Sequence, residues 1–381
     1  MDEIQQQREG WKKKAIEVGK NIVAPRAAEI DAKGEFSWDI ASAFNREGLL
    51  SLLIPKEFGG QDADVTSFCI VAEEIAKYCA SSSLLVIVQA VGTMPIALGG
   101  ARELKENVLT KIVKEGKLVC FCLTEPETGS DAASIRTKAV LEGDHYLLNG
   151  TKCFITNGGV SDFYSIFATT NPGRRMEGIT GFVVEKGTPG LSVGKTENKL
   201  GIRGSNTTEV ILNDIRVPVS QRIGDEGVGW WLMMRTMNRS RPAIAAQAVG
   251  IAQGALDYVI QYGRERDWVK KRDETLGVQF QIAEMAIDIE AARALVYKSA
   301  TMMDEKVKGI PVQMFSAMAK YFASDVAMKV TTNAVQILQW EGLLKRHPVE
   351  RMMRDAKVTQ IFEGTNQIQR MVVAHTLLKG R

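Results

Sequence analysis

The chain has 381 residues, of which 45% are hydrophobic and 24% are charged, and its formal net charge is +3. At roughly 100–200 residues per domain, this length predicts two or three domains with substantial cores. The small net charge gives no electrostatic reason to expect a nucleic acid as partner.

The cysteine and histidine content argues against metal and disulfide sites. Of the five cysteines none forms a CxxC pair, and only three histidines are present. A zinc site or a disulfide framework is therefore not expected, and a reducing compartment is favoured. The acidic start MDEIQQQREGWKKK fits neither a signal peptide nor a transit peptide. With no run of about 18 apolar residues, we expect no membrane span and a cytoplasmic protein.

Residues 1–117 are predicted to form an N-terminal helical domain. The stretches QQQREGWKKKAIEVGKNIVAPRA and DVTSFCIVAEEIAKYCA place apolar residues three and four positions apart, which is the spacing of one helix face. Breaks are expected at Gly34, at Pro55 and at Gly59-Gly60.

Residues 118–226 change to short β-rich segments separated by turns. The strand candidates are KLVCFCLT, HYLLNG, TKCFITNG, FYSIFATT, ITGFVVEKG and TTEVILNDIRV. Asn149-Gly150, between HYLL and TKCFI, predicts a tight hairpin turn. Cys120 and Cys122 alternate along VCFC and are expected to pack on one face of a strand. Segments about ten residues apart indicate a compact β-barrel or sandwich as the middle domain.

Residues 227–381 return to long helical patterns, for example AIAAQAVGIAQGALDYVIQYGRER and FSAMAKYFASDVAMKVTTNAVQIL. Their many small residues permit the close packing of a helix bundle. The order helical, β, helical predicts an α+β, mostly α fold and excludes a βαβ alternation. Neither GxGxxG nor GxxxxGK[ST] occurs, so nucleotide binding would not use a Rossmann or phosphate-loop motif.

The first segment with chemical potential is CFCLTEPETGSDAASI, residues 120–135. Thr124, Gly129 and Ser130 offer hydroxyls and backbone amides that suit an anion or the edge of a flavin. A polar turn capped by Ser130 and Asp131 explains the same residues equally well.

The second segment is KCFITNGG, residues 152–159. Phe154 can stack on a planar cofactor, and Thr156 lies two residues on, where it can hydrogen-bond to the same group from the same face. From spacing alone, a core phenylalanine and an edge threonine remain the stronger interpretation.

The third segment is NRSRPAIAA, residues 238–246. Asn238 or Ser240 can cap a helix whose first turn holds Pro242. Arg241 at such a helix start would oppose the helix dipole, which hints at an anionic partner. Without further context, a surface arginine is the stronger interpretation.

The fourth segment is RDAKVTQIFEGTNQIQR, residues 354–370. Glu363 follows two apolar residues and precedes Gly364-Thr365, which predicts a helix start. Apolar neighbours raise the pKa of a carboxylate, as a general base near neutral pH requires. In isolation, a first-turn glutamate stabilised by the helix dipole remains the stronger interpretation.

Taken together and in this order, these segments resemble the acyl-CoA dehydrogenase family, most closely its short-chain and medium-chain branches. The motifs TEPETGSD, ITNGG, IRGSNTTEVILNDIRVP, SRPAIAAQAVGIAQGALD and RMMRDAKVTQIFEGTNQIQR are specific in combination. The resemblance covers nearly the whole chain. It implies a helical N-terminal domain, a middle β-barrel, a C-terminal four-helix bundle, FAD as cofactor and a homotetramer.

The resemblance also implies a reaction. Glu363 is expected to take the pro-R α-proton of an acyl-CoA while the flavin N5 takes the β-hydride, giving a trans-2-enoyl-CoA. The thioester carbonyl would accept hydrogen bonds from the Glu363 amide and a ribityl hydroxyl, an oxyanion-hole arrangement. Electron-transferring flavoprotein is the expected electron acceptor.

Further site residues are implied by their positions in the matching motifs. The expected FAD contacts are Cys122, Thr124, Gly129, Ser130, Phe154, Thr156, Arg266, Gln336, Trp340, Thr365 and Gln367. The expected acyl-CoA contacts are Ser130, Asn238, Arg241 and Gly364. Arg241 is expected at the nucleotide of CoA, and Phe154 occupies a position where the family often has tryptophan.

Two alternative positions for the base are absent from this chain. Some relatives carry the base on the helix near Arg241, where this sequence has Ser240. A group acting on cyclic acyl-CoA esters uses an aspartate near position 91, where this sequence has Val91. The assignment of Glu363 therefore stands in both comparisons.

The sequence departs from the family at two segments that contact the FAD of a neighbouring subunit. Residues 266–270 read RDWVK where the family often has RKxFGK, and residues 338–342 read LQWEG where it has LGGxG. Trp340 is bulky where the backbone usually approaches the nucleotide. We expect altered FAD affinity, adenine pose or subunit arrangement, with a mixed oligomer as one alternative.

Three functions remain open at this stage. The first is acyl-CoA oxidation, the second an enoyl-CoA reductase running the reverse reaction, and the third a non-catalytic acyl-CoA or flavin-binding subunit. Short, branched and cyclic acyl groups are all compatible with the sequence. The walls of the acyl pocket are expected near Gln89 to Pro95 and at Phe362.

Overall fold

The computed structural model describes residues 3–307 and 311–379. Its N-terminal part is helical, as predicted. The helices are α1 Glu3–Val18, α2 Ala27–Lys33, α3 Trp38–Arg46, α4 Val65–Ala76, α5 Ala80–Gly99 and α6 Arg102–Glu115. Helix α4 begins at a capped end, because the side chain of Asp64 accepts a hydrogen bond from the Ser67 amide at 2.7 Å. Helix α5 is buried along most of its length and forms the centre of this part.

The middle of the chain forms an eight-stranded sheet. The strands are β1 Val119–Cys122, β2 Lys138–Glu142, β3 His145–Thr156, β4 Phe163–Thr169, β5 Ile179–Glu185, β6 Leu191–Thr196, β7 Thr207–Pro218 and β8 Arg222–Ile223. Their order is β6-β7-β3-β2-β4-β5-β8, and β1 pairs in parallel with β4. The strand candidates of the sequence did not include β2, β6 or β8.

The sheet encloses a core of its own. Cys120, Cys122, Tyr146 and Ile166 are among the buried residues from β1, β2, β3, β4, β5 and β7 that pack together on one face. Because these strands belong to one sheet, the sheet curls around that core. The predicted packing of the two cysteines on one strand face is confirmed, with their Sγ atoms 3.6 Å apart.

The hairpin predicted at Asn149-Gly150 is wrong. These residues lie inside β3, where the register with β7 shifts between Leu148 and Gly150. The glycine is needed there for close approach, since a Cβ would lie 2.8 Å from the Cα of Thr137. The tight turn falls earlier, between β2 and β3, at Gly143.

The C-terminal part is again helical. Its helices are α7 Gly229–Glu265, α8 Arg272–Asp304, α9 Val312–Leu338, α10 Val349–Thr359 and α11 Asn366–Leu378. Helices α5 and α7 are long and apolar enough to cross a membrane by composition alone. Most of each apolar stretch is buried inside the protein, as in the core helices of folded domains.

The predicted helix start around Asn238 is also wrong, because α7 begins at Gly229 and continues through Pro242. Proline has no amide hydrogen, so it leaves the carbonyl four residues earlier without its helical partner. That carbonyl belongs to Asn238, and it accepts a hydrogen bond from Ser316 Oγ of α9 at 3.0 Å. A tertiary contact therefore replaces the lost helical bond.

Specific polar contacts join the three parts of the chain. Gln89 on α5 donates to the carbonyl of Lys117 at 2.9 Å and accepts from the Val119 amide at 3.0 Å. Asp355 on α10 accepts from the Ile202 amide at 2.5 Å. These contacts fix the sheet against the helices on both sides of the segments considered below.

Candidate active site

Glu363 lies in a short loop between α10 and α11. Its backbone is left-handed, with φ of 55°, and Gly364 follows with φ of 91°. Thr365 caps α11 by accepting a hydrogen bond from the Ile368 amide at 3.3 Å. The helix start predicted at Gly364-Thr365 is confirmed. Glu363 precedes the cap, so it is not the first-turn glutamate of the alternative interpretation.

The carboxylate of Glu363 faces one hydroxyl and two cations. Ser240 Oγ on α7 donates to Glu363 Oε2 at 3.1 Å. Burial raises the pKa of Glu363, while the Ser240 hydrogen bond and the charges of Arg241 and Lys320 oppose the shift. No partner for Oε1 is present among residues 3–307 and 311–379. The group therefore has a raised pKa and one oxygen available to accept a proton.

Arg241 is buried, with 7% of its surface exposed, so the interpretation as a surface arginine is wrong. One terminal nitrogen donates to Oδ1 of Asn238 at 2.9 Å. Its Nε has no hydrogen-bond partner within the described part of the chain. Burial lowers the pKa of Arg241, and the carboxylate of Glu363 opposes this. The expected contact of Arg241 with the CoA nucleotide stays a prediction, and the structure places the charge of Arg241 near Glu363.

Lys320, on α9, is a site residue that sequence reasoning missed. It is fully buried, and its Nζ donates to the carbonyl of Gly364 at 2.8 Å and to Oδ1 of Asn366 at 3.0 Å. Burial lowers the pKa of Lys320 to about 7, although the charge of Glu363 opposes the shift. The available signal was a single charged residue within the largely apolar run FSAMAKYFA, because charged residues are rarely buried without a partner.

The two segments proposed to contact a flavin lie side by side in the sheet. The Cys153 amide donates to the carbonyl of Thr124 at 2.8 Å, which joins the end of β3 to the loop after β1. Phe154 has φ of 55° and is 63% exposed, so it is not the core residue of the alternative interpretation. Thr124 and Thr156 are half-buried.

A buried ion pair lies beneath these segments. Lys152 Nζ donates to Glu125 Oε1 at 2.7 Å and to the carbonyl of Leu123 at 3.1 Å. Burial raises the pKa of Glu125, but Lys152 and Thr137 outweigh it and the net shift is downward. Glu125 directly follows the proposed flavin contact Thr124, and Lys152 lies two residues before the proposed contact Phe154.

The remaining residues of the 120–135 segment differ in their accessibility. The Cys122 side chain is buried in the sheet core, so only its backbone remains for a cofactor. Gly129 and Ser130 are exposed, and a Cβ at Gly129 would meet nothing within 4 Å. The turn interpretation is supported by Asp131, which accepts hydrogen bonds from Ser134 Oγ at 2.5 Å and from Arg175 at 3.1 Å.

A second group of predicted cofactor residues lies at the ends of α7 and α9. The guanidinium of Arg266 stacks 3.4 Å from the ring centroid of Tyr262 and lies 3.6 Å from Glu341. Trp340 is 63% exposed, and Gln336 is also exposed. The side chains of Arg266, Trp340 and Gln336 are exposed on the surface of this chain and are accessible to a second molecule.

An open cavity of about 560 Å³ is lined by α9, α10 and α11. The exposed side chain of Gln367, one of the predicted FAD contacts, is part of its wall, together with Lys357 and Arg370. The predicted acyl wall lies elsewhere, on α5. There both amide atoms of Gln89 are already bonded to the backbone, while Val91 and Met94 are buried and apolar.

Most of the chain matches three family models. Residues 5–116 match "Acyl-CoA dehydrogenase, N-terminal domain", residues 120–215 match the "middle domain", and residues 227–378 match the "C-terminal domain". The chain is 48% identical to "Probable acyl-CoA dehydrogenase FadE25" of Mycobacterium tuberculosis, covering 94% of this chain and 92% of that protein. It is 46% identical to "Cyclohexane-1-carbonyl-CoA dehydrogenase" of Geobacter metallireducens, covering 95% of both.

Solved structures agree with this assignment. Butyryl-CoA dehydrogenase from Megasphaera elsdenii superposes with a TM-score of 0.93 at 40% identity, covering 99% of both chains. A chain described under "Electron transferring flavoprotein of Acidaminococcus fermentans" has a TM-score of 0.94 at 40% identity, covering 100% of this chain and 99% of that one. The chain thus belongs to the acyl-CoA dehydrogenase family and is an FAD-dependent acyl-CoA dehydrogenase.

Proposed function

We propose that Glu363 is the base that removes the α-proton of an acyl-CoA, whose oxidation yields a trans-2-enoyl-CoA. The observation that carries this proposal is the environment of the carboxylate. It is a group of raised pKa with one oxygen bonded to Ser240 and the other without a partner in the described residues. A general base transfers protons most efficiently when its pKa lies near the pH at which the enzyme works.

Stabilisation of the developing negative charge is the second requirement of this reaction. The Glu363 amide has no acceptor within the described residues, so its N–H is free to donate to a thioester carbonyl. Such a fixed donor stabilises an enolate-like oxygen without reorganisation. The buried guanidinium of Arg241 adds positive charge to the same neighbourhood.

The residues present fit FAD. We propose that the exposed ring of Phe154, with Thr124 and Thr156 beside it, holds the flavin ring, and that Thr365 and Gln367 contact the cofactor from the Glu363 loop. Bound flavin supplies the acceptor for the β-hydride. A flat exposed ring at a left-handed position of a strand end is otherwise an unfavourable arrangement, because it leaves both strain and apolar surface uncompensated.

We propose an apolar acyl group as substrate, for example a butyryl or a cyclohexane-1-carbonyl group. Val91 and Met94 on α5 are apolar, and Gln89 has no free amide group to recognise a polar acyl chain. The two relatives that act on these acyl groups support the same substrate class. A panel of acyl-CoAs with an artificial electron acceptor would rank them by kcat/KM.

We further propose a homotetramer that passes its electrons to electron-transferring flavoprotein in the cytoplasm. The open side chains of Arg266 and Trp340 support a cofactor site completed by a second subunit. The five buried, unpaired cysteines suit a reducing compartment. The reverse reaction, catalysed by an enoyl-CoA reductase, would use the same base. Assays with the acyl-CoA and with the enoyl-CoA as substrate would decide the direction.

Replacement of the base tests the proposal. We expect Glu363→Gln to retain its yellow flavin and to lose at least about a hundredfold in kcat. Glu274→Gln, an exposed carboxylate on α8, serves as the matched control and should keep full activity. Full activity of Glu363→Gln would exclude Glu363 as the base. A purified chain that stays colourless after addition of FAD would instead favour the non-catalytic subunit.

A further inference from the structure

A buried cation supports the loop that carries Glu363. Lys320 projects from α9, has none of its surface exposed, and contacts that loop at two atoms, the Gly364 carbonyl at 2.8 Å and Asn366 Oδ1 at 3.0 Å. An ammonium group loses its hydration in such a place, so it is stable only with well-placed acceptors. Among the residues that the structure describes, both acceptors of Lys320 come from this loop.

We propose that Lys320 is a positioning residue for acyl-CoA oxidation, which holds the loop of residues 360–366 in the conformation that presents Glu363. This inference rests on the proposed role of Glu363 as the base. Lys320 itself has no contact with the reacting atoms in this assignment, and it acts through the Gly364 carbonyl and Asn366.

The backbone of the loop needs such support. Glu363 and Gly364 both have positive φ, and for a glutamate this conformation is strained. The loop is closed by the Asn366 amide, which donates to the carbonyl of Gln360 at 3.0 Å. Gln369 Nε2 donates to the same Gly364 carbonyl as Lys320, at 3.0 Å. Two side chains from different helices thus fix the Gly364–Thr365 peptide, one residue beyond the strained Glu363.

Asn366 extends this support into α9. Its side-chain amide donates to Ser324 Oγ at 2.9 Å and to Asp325 Oδ1 at 2.8 Å. Ser324 and Asp325 lie one turn beyond Lys320 on the same helix. Helix α9 therefore contacts the loop through a polar row formed by Lys320, Ser324 and Asp325, in which Lys320 is the cation.

Lys320 also acts on Glu363 by charge. The groups that face Glu363 are Ser240 and Arg241 from α7 and Lys320 from α9. Lys320 is in turn influenced by Glu363, Arg241 and Asp325. A positive charge near the carboxylate favours its ionised form, which opposes the effect of burial. Lys320 therefore contributes in two ways, by holding the loop in place and by its charge near Glu363. Different variants can remove these two contributions.

Two variants separate these contributions. Lys320→Met removes a donor to the Gly364 carbonyl together with a charge, whereas Gln369→Leu removes a donor to the same carbonyl without a charge. We expect both to lower kcat, Lys320→Met by about 10- to 100-fold, with little change in KM. Only Lys320→Met should also move the pH profile of flavin reduction upward, by about one unit, because the pKa of Glu363 rises.

Hydrogen exchange gives a readout independent of turnover. Amides of residues 360–369 should exchange faster in both variants, measured on flavin-loaded and flavin-free protein. Thr331→Val removes a buried polar group of α9 that bonds within its own helix and does not contact the loop. It is the control and should match the parent in every measurement. Where Lys320→Met does not fold, Lys320→Gln replaces it, and Gln369→Leu tests the positional effect independently.

The outcomes distinguish this inference from the proposed function. A folded, flavin-loaded Lys320→Met with the parent's kcat and pH profile would overturn the role of Lys320, even if its thermal stability fell. A lower kcat with an unmoved pH profile and unchanged exchange would overturn it as well. Failure of the base assignment appears separately, as retained activity in Glu363→Gln.

Discussion

Replacement of Lys152 by methionine should destabilise the sheet and weaken flavin binding. Lys152 has none of its surface exposed, and it bonds to Glu125 at 2.7 Å and to the carbonyl of Leu123 at 3.1 Å. Methionine fills a similar volume but donates no hydrogen bond. The substitution therefore leaves a buried carboxylate without its counter-charge.

The magnitude follows from what Glu125 retains. Breaking a buried ion pair by removing one partner costs about 3–5 kcal/mol. Glu125 keeps hydrogen bonds from the amides of Arg136 at 2.6 Å and Thr137 at 3.0 Å, and from the Thr137 hydroxyl at 2.6 Å. These donors place the loss at the lower end, about 3 kcal/mol.

Urea denaturation followed by tryptophan fluorescence measures the stability, and the ratio of flavin to protein absorbance after gel filtration measures retention of the cofactor. Lys138→Met, the same change at an exposed position of β2, should shift the free energy of unfolding by less than about 0.5 kcal/mol. Adding Glu125→Gln to Lys152→Met should recover part of the loss, since it removes the uncompensated charge. An unchanged urea midpoint and flavin content in Lys152→Met would refute this reasoning.

Three further outcomes follow from the structure. Ser240→Ala should raise the pKa of Glu363 and move the rising limb of the activity–pH profile upward, by less than about one unit; an unmoved limb would contradict the 3.1 Å contact. Gly201→Ala should lower the free energy of unfolding by about 2–4 kcal/mol, because the new Cβ would lie 2.2 Å from the Arg354 carbonyl oxygen. Gly277→Ala on α8 is the control, because a Cβ there meets open space, and its melting temperature should be unchanged or higher. Burial raises the folded-state pKa of Asp355 to about 6, so its stabilising contribution is present at low pH and is lost as pH rises through 6. Between pH 5 and 7.5 the free energy of unfolding of the parent should fall by about 1–2 kcal/mol more than that of Asp355→Asn. Parallel plots of unfolding free energy against pH for the two proteins would contradict this.

The sequence by itself determined the class of fold, the order of its parts and the segment that carries Glu363, the proposed base. Helical periodicity and strand alternation are local properties, so the helical ends and the β-rich middle were readable without tertiary information. The motif around Glu363 placed a carboxylate between apolar residues and a helix cap, and Thr365 does cap α11. Residue-level contacts with FAD and acyl-CoA stay predictions.

Only the tertiary structure decided which local signals prevail. Asn149-Gly150 has the residues of a hairpin turn, yet the pairing of β3 with β7 keeps it inside one strand. Pro242 indicates a helix start, yet Ser316 on α9 satisfies the carbonyl that the proline leaves free, so α7 continues. In both cases a partner distant in sequence supplies the decisive interaction.

The same holds for the surroundings of Glu363. Ser240 and Lys320 lie 123 and 43 residues away from Glu363 in sequence, and no local pattern connects them with it. Burial and electrostatics depend on the packing of α7 and α9 around the loop. The sequence therefore singled out Glu363 as the proposed base, and the packed helices set its pKa and its backbone conformation.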